Sequence, residues 1–132
     1  MGAGVLQGTP QPSLGTLVVK LPLGAVVDVL LLNGPSLNGV YEQHPWHKHG
    51  GEFWVLGMGV GLESAPCAPP AVNASHPPPQ MDMLTLLPRG WAWIRFVADN
   101  PGAWPMHCHI AWHLQMGMLM LFIVAPEKIP LP

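Results

Sequence analysis

Six of the seven histidines fall in two short segments, with His44, His47 and His49 in the first and His107, His109 and His113 in the second. Cys108, one of two cysteines, lies between His107 and His109. A lone histidine is ordinarily a surface or core residue. A His-Cys-His triplet with a second His-rich segment gathers more nitrogen and sulfur donors than any role other than metal binding needs. In HCHIAWHLQMGM, Cys108, His113 and Met118 follow one another at equal five-residue intervals. Thiolate, imidazole and thioether can therefore converge from a strand end, a turn and the start of the next strand. Adding His44 makes the two-His, one-Cys trigonal set with a weak axial Met that suits copper in an electron-transfer site. Zinc accepts cysteine and histidine, but a thioether is a poor zinc ligand.

Strand parity divides the remaining histidines. Side chains at i and i+2 share a face and i+1 points to the other. His107 and His109 therefore face together, away from Cys108, and a regular strand places His47 and His49 on one face and His44 on the other. Two sites follow, back to back: His44 and Cys108 on one side, and the imidazoles of His47, His49, His107 and His109 on the other. The backbone from Cys108 to its flanking histidines is a short covalent path between them.

The elements that must position these residues read as short strands. Thr16 to Leu21, Ala25 to Leu32, Glu52 to Met58, Asp82 to Leu87, Trp91 to Ala98, Ala103 to His109 and Met118 to Val124 carry strand patterns between Gly, Pro and Asn turns. Glu52 to Met58 reads as buried, and a short helical turn is expected around 110 to 116. Residues 1–15 read as an irregular lead-in whose place at the start suits a domain boundary. The Pro-rich run from Glu63 to Gln80 reads as an exposed loop. Many short strands with almost no helix favour an all-β sandwich or barrel, with antiparallel spacing.

At 132 residues, 49% hydrophobic and 9% charged, the chain has material for one core and little charge to cover its outside, so part of the surface is expected to be covered. The net charge of -2 and scattered Lys and Arg give no footprint for nucleic acid. No apolar run reaches the roughly 18 residues of a membrane span. The start of the chain lacks the features of a signal peptide. Cys67 is expected to be free or paired outside this chain. Core packing is the expected role for most tryptophans, with Trp46 and Trp112 beside ligands the two to watch, and for Met106, Met116 and Met120. Asn73-Ala74-Ser75 matches a glycosylation sequon. His76 is a spare histidine.

HPWHKHGGEFWVLGMG resembles the HPxHxHGHxFxVLG segment of the multicopper oxidases, and WPMHCHIAWHLQMGM resembles their WxxHCHIxxHxxxGM segment. MDMLTLLPRGWAWIRFVADNPGAW, between them, is similar to the strand pair that leads into the second segment. The resemblance runs from about Val18 to Ala125 and points to the third, C-terminal domain of ascorbate oxidases, laccases and ferroxidases. It implies a cupredoxin-like Greek-key sandwich or barrel, with a plastocyanin-like domain at 16–126 and a tail at 127–132. It also implies that His44, Cys108, His113 and Met118 hold a type 1 copper, that His47 binds a type 2 copper, and that His49, His107 and His109 bind a type 3 pair. His107, Cys108 and His109 would carry electrons from one site to the other. In the family a small-molecule or metal-ion reductant gives electrons to the type 1 copper and dioxygen is reduced to water at the three-copper cluster.

The family completes that cluster with His-x-His pairs from an N-terminal domain, which this chain lacks. The resemblance thus implies N-terminal cupredoxin domains, on the same protein or a partner chain, and favours a secreted, extracellular setting. Four departures stand out. Gly51 replaces a histidine that is not a ligand, and Ala111 replaces an acidic residue after HCHI. Lys48 replaces an apolar residue, and its cation would disfavour bound copper if it pointed inward to the ligands. Met118, where the most oxidising laccases have Leu or Phe, implies a lower type 1 potential. The alternative is a stand-alone blue-copper electron carrier, which would use His44, Cys108, His113 and Met118 and leave four imidazoles without purpose.

Overall fold

A computed structural model describes residues 16–130. The expected lead-in at 1–15 and the last two residues of the tail lie outside the described residues. In chain order the strands are β1 (Leu17–Leu21), β2 (Ala25–Leu32), β3 (His44–Lys48), β4 (Phe53–Val60), β5 (Gln80–Met81), β6 (Met83–Leu86), β7 (Gly90–Ala98), β8 (Gly102–Cys108) and β9 (Leu119–Val124). The helix α1 (Ala111–Gln115) fills the expected helical turn between β8 and β9.

Alternation builds the core. In β7, Gly90, Ala92, Ile94, Phe96 and Ala98 are buried while Trp91, Trp93, Arg95 and Val97 stand on the outer face, the period-2 pattern of a strand with one face on a core. The strands form two sheets, ordered β1-β9-β8-β3-β6 and β2-β7-β4-β5. Between them pack Leu21, Phe53, Leu86, Ile94, Phe96, Met106 and Phe122. Phe96 and Phe122 meet edge to face at 5.0 Å, a favoured aromatic geometry.

Two expectations need correction, and the exposed loop holds with added ties to the sheet. The pair β1–β9 runs parallel, so the sandwich is not wholly antiparallel. The run from Glu63 to Gln80 includes a 3-10 turn that spans Leu62–Ser64 and an isolated bridge between Asn73 and His76, and it is tied to the sheet. Trp91 Nε1 donates to Ser64 Oγ and Trp93 Nε1 to the Pro66 carbonyl, at 3.2 and 3.0 Å. Two indole donors on the outer face of β7 need partners, and the loop supplies them. The stretch from Glu52 is buried at Phe53 and Val55 but leaves Met58 exposed, because β4 alternates and carries a bulge between Val55 and Gly57.

The ladder between β3 and β8 positions the site. It has three pairs, Trp46 with Cys108, His47 with His107 and Lys48 with Met106. Pro45 and Pro105 lie one step beyond its two ends. Their carbonyls still accept, from His109 N–H at 2.7 Å and His49 N–H at 2.9 Å, but neither proline has an N–H to return the bond, so the ladder closes there.

Candidate metal centre

Parity operates as the sequence implies. Met106 and Cys108 on β8 and His44 and Lys48 on β3 are buried toward the sandwich interior, and His47, His49, His107 and His109 stand on the opposite face. His113 arrives from α1. On the inner face, His44 Nδ1 and His113 Nδ1 are 3.1 Å apart. Cys108 Sγ lies 3.5 Å from His113 Nδ1 and 3.8 Å from His44 Nδ1. A point equidistant from the three donors sits about 2 Å from each, the length of a metal–imidazole bond. The donor set and its spacing fit copper.

Two soft nitrogens and a sulfur this close lower the comfort of charge. Burial, and then the His113 imidazole, hold His44 below the ordinary histidine range, with Glu42 opposing. Burial pushes the Cys108 thiol up, and a hydrogen bond from the Ile110 backbone opposes it. Without a cation the set therefore favours neutral thiol and imidazole. A bound metal ion would exchange for the thiol proton. Met118 lies alongside: its carbonyl accepts from Cys108 N–H at 3.0 Å. With His44, Trp46 and the loop from Leu32 to Ser36 it lines a cavity of about 220 Å³.

On the outer face the four imidazoles form one cluster. Ring centroids are 4.7 Å apart for His47 and His49, 5.2 Å for His49 and His107, and 5.7 Å for both His47 with His109 and His107 with His109. Nε2 of His49 and Nε2 of His107 approach to 3.1 Å. Desolvation and then His47, His107, His109 and Lys48 hold His49 below its usual range. Neutral imidazole is the form that binds metal. Nδ1 of His47 is tied to the Asp82 carbonyl at 2.9 Å and Nδ1 of His107 to the Cys108 carbonyl at 3.0 Å. Both leave Nε2 free toward the cluster, the arrangement by which a carbonyl selects the tautomer of a ligating histidine.

Lys48 departs from its expected threat. On β3 it shares parity with His44, not with His47 and His49. Its ammonium runs into the core over the Phe96 ring, 4.5 Å from the centroid, and burial lowers its pKa with Asp99 opposing. Gly51 and Ala111 contribute no side-chain donor, and Ala111 is exposed at the start of α1. Met106 and Met120 pack in or against the core as expected, but Met116, which caps α1, is 70% exposed. Trp46 is half-buried beside His44, and Trp112 is exposed beside His113. Cys67 is an exposed free thiol and Cys108 a buried one. His76 lies apart, in the loop.

Glu42 was not singled out by spacing alone, yet its carboxylate lies 3.4 Å from Nε2 of His113. It lies two residues before His44, outside β3, so strand parity does not reach it. Asn33 was also missed. Buried, it donates through Nδ2 to the carbonyls of Glu42 at 2.6 Å and Leu87 at 2.8 Å, which ties the segment before His44 to the turn after β6.

A two-sheet β-sandwich that draws a cysteine and two histidines together at one end is a cupredoxin-like domain. The family profile for multicopper oxidases matches residues 3–128. An L-ascorbate oxidase of Cucumis sativus is 47% identical over 114 residues, 86% of this chain and 19% of that protein. Laccase-13 of Arabidopsis thaliana is 41% identical over 120 residues, 91% of this chain and 21% of that protein. The structure of Fet3p, a multicopper oxidase that functions in iron import, superposes with a TM-score of 0.66 at 29% identity, covering 83% of this chain and 21% of that one. The chain belongs to the multicopper oxidase family. It spans about a fifth of the length of the curated relatives it matches.

Proposed function

We propose that this chain, with its plastocyanin-like domain at 16–126 and a tail at 127–132, is the C-terminal copper-binding part of a longer or assembled oxidase. That oxidase takes electrons from a reductant at a type 1 copper and reduces dioxygen to water at a three-copper cluster. His44, Cys108, His113 and Met118 would hold the type 1 copper, and His47, His49, His107 and His109 would supply half of the three-copper ligand set. Copper, when bound, supplies the one-electron oxidation and reduction that no side chain here provides. The observation that carries the reading is two donor sets on opposite faces of one strand, joined through the backbone of His107, Cys108 and His109.

The protein's own part is placement. The β3–β8 ladder holds Cys108 on one face and His107 on the other. The Ile110 amide supports negative charge on Cys108 sulfur. His113 and Glu42 form a surface contact where an organic or metal-ion reductant can approach. The outer imidazoles are open to solvent, which supports completion by N-terminal cupredoxin domains of the same protein or a partner chain. A stand-alone electron carrier is disfavoured by those four imidazoles. The family resemblance favours an extracellular setting. Among the described residues no helix is long and apolar enough to cross a membrane.

Copper reconstitution of the chain tests the inner site. The expected result is an intense thiolate-to-copper absorption band that saturates at about one copper per chain and is absent in Cys108→Ser. A folded chain without that band overturns the assignment. Oxygen consumption is expected only after the N-terminal domains are supplied.

A further inference from the structure

We propose that the buried Lys48 ammonium is a positioning group for His49, acting through the backbone turn that follows β3. The inference rests on the reading of the outer imidazoles as ligands, and its observations lie on the other side of the sheet. Lys48 is 5% exposed. Its Nζ donates to the carbonyl of His49 at 3.2 Å and to that of Gly51 at 3.3 Å. Asn100 Nδ2 takes the carbonyl between them, that of Gly50, at 3.2 Å. Three successive carbonyls of one turn are thus held by side chains, two of them by a single cation.

The turn needs such holding. Gly50 and Gly51 adopt φ of +78° and +139°, backbone that is reversible and soft without a fixed partner. The ammonium is a charged donor, which makes the stronger kind of hydrogen bond. Phe96 beneath the ammonium adds a cation–π contact and helps replace lost water.

His49 depends on this turn more than the imidazoles beside it do. Nδ1 of His47 and Nδ1 of His107 are each tied to a carbonyl. Among the described residues, Nδ1 of His49 has no such carbonyl partner, and the polar and ring contacts of its imidazole are with His47 and His107. Its aim toward His107 is therefore set by the backbone, from His49 N–H on the Pro105 carbonyl to the Lys48 bonds on the far side. Lys48 acts from the inner face on a donor of the outer face.

The test needs no metal. In the metal-free chain, ring-to-ring nuclear Overhauser effects are recorded for His49 with His107 and, as an internal standard of folding, for His44 with His113. Lys48→Met keeps most of the apolar stem but removes the ammonium that makes both hydrogen bonds. It is expected to lose the His49–His107 effect and keep the His44–His113 effect. Phe96→Leu loosens the same region of the core but leaves Lys48 its carbonyls, and is expected to keep both. Retention of the His49–His107 effect in Lys48→Met, or its loss in both variants, overturns the proposal. If Lys48→Met does not fold, Lys48→Arg decides. It keeps charged donors, and Lys48 already lines a small cavity of about 10 Å³. Recovery of fold and His49–His107 contact supports the role; a folded Lys48→Arg chain without that contact overturns it. Failure of the copper reading would show instead as a missing absorption band, with these contacts unchanged.

Discussion

Substituting alanine at Gly50 separates the two demands that this turn makes on its residue. The first is backbone conformation: φ is +78°, where an L side chain costs about 1 kcal/mol. The second is space. A Cβ at Gly50 would lie 2.7 Å from Trp104 Cε2 and closer still to Cδ2 and Cγ. The indole cannot simply swing away, because Trp104 Nε1 donates to the Asn100 carbonyl at 2.8 Å. Displacing it costs overpacking strain or that hydrogen bond, about 2 kcal/mol. Gly50→Ala should therefore destabilise the metal-free chain by about 3 kcal/mol in total. Gly24 and Gly39 provide the reference, with φ of +79° and +80° and no atom within 4 Å of a built Cβ. Alanine at either should cost about 1 kcal/mol, the backbone component alone. Urea denaturation of the three variants, compared at constant m value, measures the difference. Equal losses at all three positions would show that the Trp104 ring yields freely, and the account of a tightly held turn beside His49 would fail.

Asn33→Ala removes the donor shared by the Glu42 and Leu87 carbonyls and should cost about 2 kcal/mol in the same denaturation assay. A loss within about 0.5 kcal/mol, the scale of an ordinary surface change, would place those carbonyls in water instead. Copper that binds the folded state alone should stabilise the chain by about 2.7 kcal/mol at a free concentration a hundredfold above its dissociation constant. Chelation should return the melting temperature to the metal-free value, and Cys108→Ser should abolish most of the shift; an undiminished shift in that variant would place the metal elsewhere.

Much of this arrangement is legible in the residues before any fold is known, because strand parity is a local rule. The alternation His-Cys-His can serve two faces only if the strand is extended, and β8 is. The eight residues of β2 coincide with the run from Ala25 to Leu32, bounded by turn residues on both sides. Lys48 was also within reach of parity: counted from His44 it must share the inner face, so its ammonium points away from the outer imidazoles. Other features depend on contacts between distant residues. The parallel pairing of β1 with β9 joins the two ends of the domain, and no local pattern distinguishes it. The Pro-rich loop lacks strand character, as its composition implies, but its attachment rests on Trp91 and Trp93, about 27 positions away in the chain. The support of His47 by Asp82, just before β6, comes through the Asp82 carbonyl at 2.9 Å with its carboxylate 3.8 Å away, and only the pairing of β3 with β6 brings the two together. Met116 resembles a core residue by type but caps the short helix α1 and is exposed, while His113 is the side chain that α1 turns inward.

The prolines that bracket the β3–β8 ladder have a consequence for mutation and repair. Sliding β8 by a single residue against its neighbours would turn Cys108 outward and bring His107 or His109 inward, so both donor sets would be scrambled in one step. There is no half-correct alignment between the two. Pro45 and Pro105, with no N–H to return the bonds that their carbonyls accept, close this ladder at three pairs, so few backbone bonds hold the one alignment that keeps both donor sets. A one-residue insertion or deletion in β8 should behave as a switch to loss of both sites, whereas a substitution at one donor can spare the other.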